Sequence, residues 1–391
     1  MATSLSRRDF LLRSGVIGCS LAASPLFTPV SFAATPWDTR LVVLILRGGM
    51  DGLDVVQPYG DPALAKLRGS LSGGPQAGAL DLDGYFALHP NLAPLMPMWN
   101  AGHLSFVHAV STPYRNKRSH FDGQDLLEAG TGEIAGVRDG WLNRMLQAVP
   151  DVTPQTAYSI GRSDMRLMQG AANVANWSPD AEFNLSPQAV RLLELVTEND
   201  PAMHAALSEA QVLSASGSQM MTDKKAPNHV EIAEFAAQRL SEEARIAAFS
   251  LNGWDTHSNQ ERFLGIALDR LAETLVTLKG KMRGDTWKKT AVIAMTEFGR
   301  TARQNGTAGT DHGTGGLMVL AGGAVRGGRV YGKWPGLGEG DLFEGRDLMP
   351  TADVRAHAAW VMRGLTGLDK GVLESAIFPG LDMGSDPGLI L

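Results

Sequence analysis

Thiols are almost absent from this sequence, whose 391 residues include a single cysteine, Cys19. One thiol cannot close an intramolecular disulfide, and it cannot supply the cysteine-rich ligand sets of structural zinc sites. Any metal site must therefore be built from His, Asp, Glu or hydroxyl groups. Positive charge is also short: 35 Lys and Arg face 41 Asp and Glu, a net charge of −6. That balance argues against a nucleic-acid partner, since such domains carry a basic face. There are no internal repeats and no low-complexity tail, which sets aside repeat architectures. The apolar run from Gly15 to Phe32 is short and broken by Pro25 and Pro29, so it does not make an anchor helix.

That run belongs to an address. Ser6-Arg7-Arg8-Asp9-Phe10-Leu11 fits the twin-arginine export pattern, and Ser31, Ala33 and Ala34 suit signal-peptidase cleavage. Residues 1–34 are expected to be a signal peptide, with the twin-arginine translocase as partner during export to the periplasm or beyond. Val16-Ile17-Gly18-Cys19 has the look of a lipoprotein box, which would lipidate Cys19. The other reading is a small apolar residue within the signal. Cleavage after Ala33 or Ala34 leaves a mature chain with no thiol.

What remains has an ordinary globular composition, 44% hydrophobic and 19% charged, with Gly 45 and Pro 20. Residues 35–391 are expected to form one α/β domain. Leu41–Leu46, Leu104–Val110, Ala247–Leu251, Thr290–Met295 and Leu317–Gly323 are apolar runs that read as buried strands, and helical patterns over 230–246 and 261–282 alternate with them. That alternation is the mark of βαβ units and a mostly parallel sheet. The stretch 58–85 is rich in Gly, Ser and Pro and reads as surface loop. Residues 151–228 are Ala- and Ser-rich, with helices expected near 187–198 and 201–213, and suggest a helical insertion over the sheet.

Polar clusters follow several of these strands, where the ligand crevice of an open α/β sheet lies. Arg47-Gly48-Gly49-Met50-Asp51-Gly52 follows the first, and Asp51 reads either as a turn cap or as a group delivered to that edge. Arg118-Ser119-His120-Phe121 opens a helix. Ser119 is an ordinary N-cap in one reading and a hydroxyl nucleophile at a positive helix end in the other, with Arg118 to receive an anion. Asp255 and His257 stand two apart on an extended segment, so both can face one ion. His312, after the Gly309-Thr310-Asp311 turn, can add a third ligand. Two His and one Asp with an open position suit catalytic zinc. The competing reading has the aspartates capping turns and the histidines bonding locally.

Taken together, Ser6-Arg7-Arg8, Arg47–Gly52, Arg118–Phe121, Gly253-Trp254-Asp255-Thr256-His257, Thr296-Glu297-Phe298-Gly299-Arg300 and Asp311-His312-Gly313 resemble an exported family, the domain of unknown function 1501, over nearly the whole mature chain. That family in turn resembles the alkaline phosphatase and sulfatase superfamily. The resemblance implies a three-layer α/β sandwich with a mostly parallel sheet and a metal-dependent hydrolase of phosphate or sulfate esters. It implies Ser119 as nucleophile, Asp51 at a second metal, Asp255, His257 and His312 at the first, and Glu297 in place of an aspartate. Phe298 stands where the superfamily has a ligating histidine, which impairs the second site unless His120 or Asp311 compensates. Arg300 is expected to replace the lost positive charge, leaving one divalent ion of zinc, manganese or calcium. The substrate is expected to be an anionic small molecule or glycan. A second function remains open: a non-catalytic relative that binds an anionic or carbohydrate ligand in an envelope assembly.

Overall fold

Apolar runs bounded by polar turns build the centre of the molecule. In strand β1 (Arg40–Arg47) every side chain from Leu41 to Leu46 is fully buried. Successive side chains of a strand face opposite ways, so such a strand must be covered on both sides. The computed structural model describes residues 37–391 except 116–117, 135–138, 162–164, 180–186, 198–199, 201–202, 205–206 and 208–227. The signal stretch, Cys19 and most of the helix expected at 201–213 lie outside the described residues.

Eight further strands join β1 in one sheet: β2 (Leu104–Ser111), β3 (Ala157–Ile160), β4 (Ala175–Trp177), β5 (Ile246–Asn252), β6 (Thr290–Met295), β7 (Gly316–Ala321), β8 (Val330–Tyr331) and β9 (Ala352–Asp353). Their order is β8–β2–β7–β6–β1–β5–β3–β4, with β9 also on β2. β1 pairs in parallel with β5 and β6, whereas β7 runs antiparallel to β6 and β2. The sheet is mostly parallel, as the sequence pattern implies.

Helix α1 (His120–Ala129) follows β2, α2 (Asn228–Ser241) precedes β5, α3 (Gln260–Lys281) follows it, and α4 (Val354–Thr366) follows β9. Val42, Leu44 and Leu46 share one core with apolar residues of α2 and α3. α4 touches β1 and β6, and its buried side chains stand outside that core. The alternate residues Leu41, Val43 and Ile45 therefore face α4's side, and the domain has helices on both faces of the sheet. Among the described residues no helix is long and apolar enough to cross a membrane.

Two expectations need correction. The stretch 151–228 does not begin as a helical insertion: β3 and β4 extend the sheet beyond β5, and Trp177 stacks on Phe235 of α2 at 4.0 Å. Both strands are short, so neither carries enough apolar positions to stand out in the sequence. A helix over Pro187–Thr197 does follow. The Gly-rich stretch 58–85 likewise holds a short helix, Leu64–Arg68, whose Arg68 is fully buried.

This topology decides where chemistry can gather. β1, β2, β5 and β6 run the same way, so their carboxyl ends share one edge of the sheet. β7 runs against them and starts at that edge. The loops after four strands and the loop before a fifth meet there.

Candidate metal centre

The loop after β5 carries Asp255 and His257, the turn after β2 leads through Ser119 into His120, and the loop before β7 carries Asp311 and His312. Gly48, beyond the end of β1, has φ +127 and lies so near the β5 loop that a Cβ would stand 2.5 Å from the Asp255 backbone nitrogen. Only glycine allows that approach.

Four side chains converge. His257 Nε2 lies 2.9 Å from His312 Nε2 and 3.0 Å from Asp255 Oδ1. His312 Nε2 is 3.3 Å from Asp255 Oδ1, and His120 Nε2 is 3.3 Å from Asp255 Oδ2. The donors of His120, Asp255 and His312 all lie within 4.8 Å of one another. A tetrahedral zinc ion with ligands ~2.1 Å away separates neighbouring donors by roughly 3.4 Å, close to what is found here.

The far side of each imidazole explains the convergence. His120 Nδ1 is 2.7 Å from Glu297 Oε1, His257 Nδ1 is 3.1 Å from Asp311 Oδ1, and His312 Nδ1 is 2.9 Å from the Arg118 carbonyl. All three partners are acceptors, so each Nδ1 is an N–H donor, and a ring that takes up a cation offers it the lone pair of Nε2. The Nε2 atoms of His120 and His312 and the Asp255 carboxylate then gather at one point, with His257 Nε2 beside His312 and Asp255, an arrangement that can hold a cation. His120 Nε2 is buried and makes no hydrogen bond. The Asp255 and Glu297 carboxylates push the His120 pKa up to about 9 against the effect of burial, so their field favours positive charge at this position. A divalent ion answers the same field. Asp255 is ionised: burial alone would raise its pKa, but His120, His312 and Arg300 hold it well below the usual carboxylate range.

Phe298 closes the back of the site. It is buried, its ring centre lies 5.0 Å from both His120 and His312, and it stacks on Tyr114 at 6.1 Å. The residue that cannot ligate therefore walls two residues that can.

Several expected ligands stand elsewhere. Asp51 is buried at the end of β1 and caps a short helix by accepting from the Leu53 N–H at 3.2 Å. Arg68 grips both its oxygens, at 2.9 Å through Nη2 and closer through Nη1. Burial works to raise the Asp51 pKa, yet Arg68 and Gln260 bring it below the ordinary value. A guanidinium holds the place expected of a second ion. Glu297 is fully buried with both oxygens engaged by His120, Gln124, Gly48 N–H and the Thr296 hydroxyl, so it orients His120 instead of ligating. Asp311 plays the same part for His257. Such carboxylate–histidine pairs fix the tautomer and orientation of metal-binding imidazoles. Arg300 is not an anion clamp either. Its side chain is fully buried and its Nη2 donates to Asp255 Oδ1 at 2.7 Å, which holds that carboxylate in place.

Ser119 is the N-cap of α1, its Oγ accepting from the Asp122 N–H at 3.4 Å. Arg118 has φ +52, uncommon outside glycine, and this bend turns its carbonyl to His312 while aiming His120 inward. The Arg118 side chain is exposed. Beside the cluster opens a groove of about 580 Å³, lined by Asp311, Asn305, Arg303, Arg346, Glu339 and a floor that includes Leu337. Asp311 is shared by both, so the groove begins one residue from His257. Arg68 and the groove residues other than Asp311 were invisible to sequence reading, while His120 was named only as a residue that could stand in for the ligand lost at Phe298.

The family model described as Protein of unknown function (DUF1501) matches residues 89–372. No curated protein matches the sequence. Among solved structures the chain is similar to a protein in the alkaline phosphatase superfamily from Vibrio parahaemolyticus, at 10% identity and TM-score 0.32, covering 73% of this chain and 60% of that one. It thus spans less than two thirds of that protein. It is also similar to the C-terminal periplasmic domain of EcEptC from Escherichia coli, in complex with Zn, at 11% identity and TM-score 0.31, covering 73% of each chain. A third likeness is to Ps i-CgsB in complex with k-i-k-neocarrahexaose, at 9% identity and TM-score 0.36, covering 85% of this chain and 73% of that one.

Proposed function

This chain belongs to the DUF1501 family, and we propose that it is an exported hydrolase of phosphate or sulfate esters that works with one divalent ion. Residues 1–34 are its twin-arginine signal and 35–391 its working domain. The observation that carries the reading is the convergence of three imidazole Nε2 atoms and a carboxylate, each imidazole held from behind by an acceptor. His120, Asp255, His257 and His312 would hold the ion. When bound, it would polarise the ester and favour the anionic form of a nearby hydroxyl or water.

The protein's own residues supply the rest. Ser119 Oγ is the candidate nucleophile: it accepts one long hydrogen bond and stands at the positive end of α1, which favours negative charge there. Arg118 meets the anionic group from solvent. Arg300 and Glu297 hold Asp255 and His120 in place. The groove beside Asp311 takes the alcohol part of the ester, with amides and cations on its walls for hydroxyls and anions. Four protein ligands would close the shell of a structural zinc site. Here His257 and Asp255 are 45% and 44% exposed, so a fifth ligand can approach from solvent.

A second reading has the protein bind an anionic or carbohydrate ligand without turnover. The Arg68–Asp51 pair favours it, because it removes the second ion on which a two-metal mechanism relies. Metal analysis with a screen of chromogenic phosphate and sulfate esters separates the two. Bound metal with turnover that falls in Ser119→Ala supports the hydrolase. Bound metal without turnover on any ester supports the binding protein, and no metal after loading with zinc or manganese rejects the metallohydrolase.

A further inference from the structure

Gln260 touches both loops of the metal cluster without touching a ligand. It is the first residue of α3, fully buried, and every hydrogen-bonding position of its amide is used. Nε2 donates to Asp51 Oδ2 at 2.6 Å and to Asp54 Oδ2 at 2.9 Å. Oε1 accepts from the Thr256 hydroxyl at 2.9 Å and the Thr310 hydroxyl at 2.7 Å. The Asp51 carboxylate, held below its ordinary pKa, only accepts, so the amide cannot be turned over without setting its own oxygen against that carboxylate.

The partners are placed where they matter. Thr256 lies between Asp255 and His257, and Thr310 directly precedes Asp311 and His312; both threonines are buried. The loops also meet through Thr310 N–H to Thr256 C=O at 3.1 Å and Gln260 N–H to Ala308 C=O at 2.9 Å. At Gly309 a Cβ would come 2.3 Å from the His257 carbonyl carbon, so the loops are in contact. Asn259 takes a left-handed φ of +47, which turns the chain before Gln260 enters its helix.

Behind the amide stands a fixed base. Arg68 holds Asp51 and spends its other donors on the carbonyls of Thr301 at 3.0 Å and Ala302 at 2.8 Å, just past Arg300. A continuous line thus runs from the backbone after β6, through Arg68, Asp51 and Gln260, to the hydroxyls beside the histidine ligands.

We infer that Gln260 is a positioning residue that sets the separation of the two histidine-bearing loops from the Asp51–Arg68 base. The consequence for the ion rests on the metal reading above; the consequence for the loops does not. A guanidinium and an amide here do the fixing that a second ion would otherwise do, and they do it at any metal concentration.

The test compares Gln260→Met, which keeps volume but loses all four bonds, with Leu278→Ala. Leu278 is a buried core residue on the same helix, some ~27 Å along it at 1.5 Å per residue, and controls for lost stability. Amide hydrogen exchange of the metal-free proteins is read first. Gln260→Met should speed exchange at 255–257 and 310–312 together by about tenfold or more, and Leu278→Ala should not. With cobalt(II), Gln260→Met should weaken binding by about 10–100-fold and alter the visible ligand-field bands, with Leu278→Ala unchanged. Wild-type protection of both loops in Gln260→Met, or exchange that rises evenly across the sheet in both variants, would overturn the inference. A wild-type protein that binds no cobalt would sink the metal reading, and the exchange result would still decide this one.

Discussion

Two acidic clusters sit on the same edge of the sheet and have opposite fates. At the end of β1, Asp51 and Asp54 are sealed from solvent, and Arg68 supplies the countercharge. Burial and the neighbouring Asp51 push the Asp54 pKa up. At the end of β5, Asp255 is nearly half exposed and faces the Nε2 atoms of three imidazoles. The first cluster is closed by the chain's own cation; in the second, Arg300 meets one Asp255 oxygen and the exposed side leaves room for a cation from outside. The difference is between a sealed cluster and an open one. A buried charge must be paired at all times, whereas a site for an exchangeable ion must stay open.

The comparison can be broken at its open end. Asp255→Asn and His312→Ala should each abolish stoichiometric zinc binding, checked by metal analysis after gel filtration. The His312→Ala apo protein should lose little stability, whereas Asp255→Asn also weakens the ion pair of the buried Arg300 and should lose more. At the sealed end the effect should be on folding. Arg68→Ala leaves Asp51 buried and unpaired, and should cost about 3–5 kcal/mol in denaturant unfolding. If Arg68→Ala were nearly neutral, the contrast between the two clusters would fail.

The histidines sharpen the same contrast. His108, in the middle of β2, is buried, its Nε2 2.8 Å from the Val56 carbonyl and its ring stacked on Phe86. Burial lowers its pKa to about 4, only partly opposed by the Val56 carbonyl and Asp51. Its folded pKa lies below the unfolded value near 6.5, so the unfolded chain binds more protons. Its stabilising contribution is therefore intact above pH 6.5 and is lost as pH falls towards 4, by on the order of 3 kcal/mol. Unfolding of His108→Phe should show a correspondingly flatter loss between those values; equal slopes would remove His108 as the cause. The smallest effect is expected at Glu297→Gln, which keeps shape but weakens the grip on His120 Nδ1. Zinc affinity measured by competition with a chelating dye should fall about 10–100-fold.

Much of this arrangement was legible before the fold. Apolar runs marked β1, β2, β5, β6 and β7, and the short polar segments beside them named Asp255, His257 and His312. Phe298 marked the missing ligand of a second site. Other parts depend on distances that sequence does not carry. Glu297 and Asp311 are ligand-type residues that face ring nitrogens instead of the ion position, a matter of a few ångströms. Arg68 lies in a Gly- and Ser-rich stretch whose composition says loop, yet its short helix carries it under the site. Arg300 follows the right strand but points inward to Asp255. His120 sits beside an N-cap serine, and only the meeting of α1 with the β5 and β7 loops brings it to the cluster.

The most direct test is X-ray absorption at the zinc edge on the purified, zinc-loaded protein. The account predicts one ion per chain bound by three imidazole nitrogens and a carboxylate oxygen, with one imidazole lost in His120→Ala. No bound ion, or an ion in an all-oxygen shell that is unchanged in His120→Ala, would contradict it.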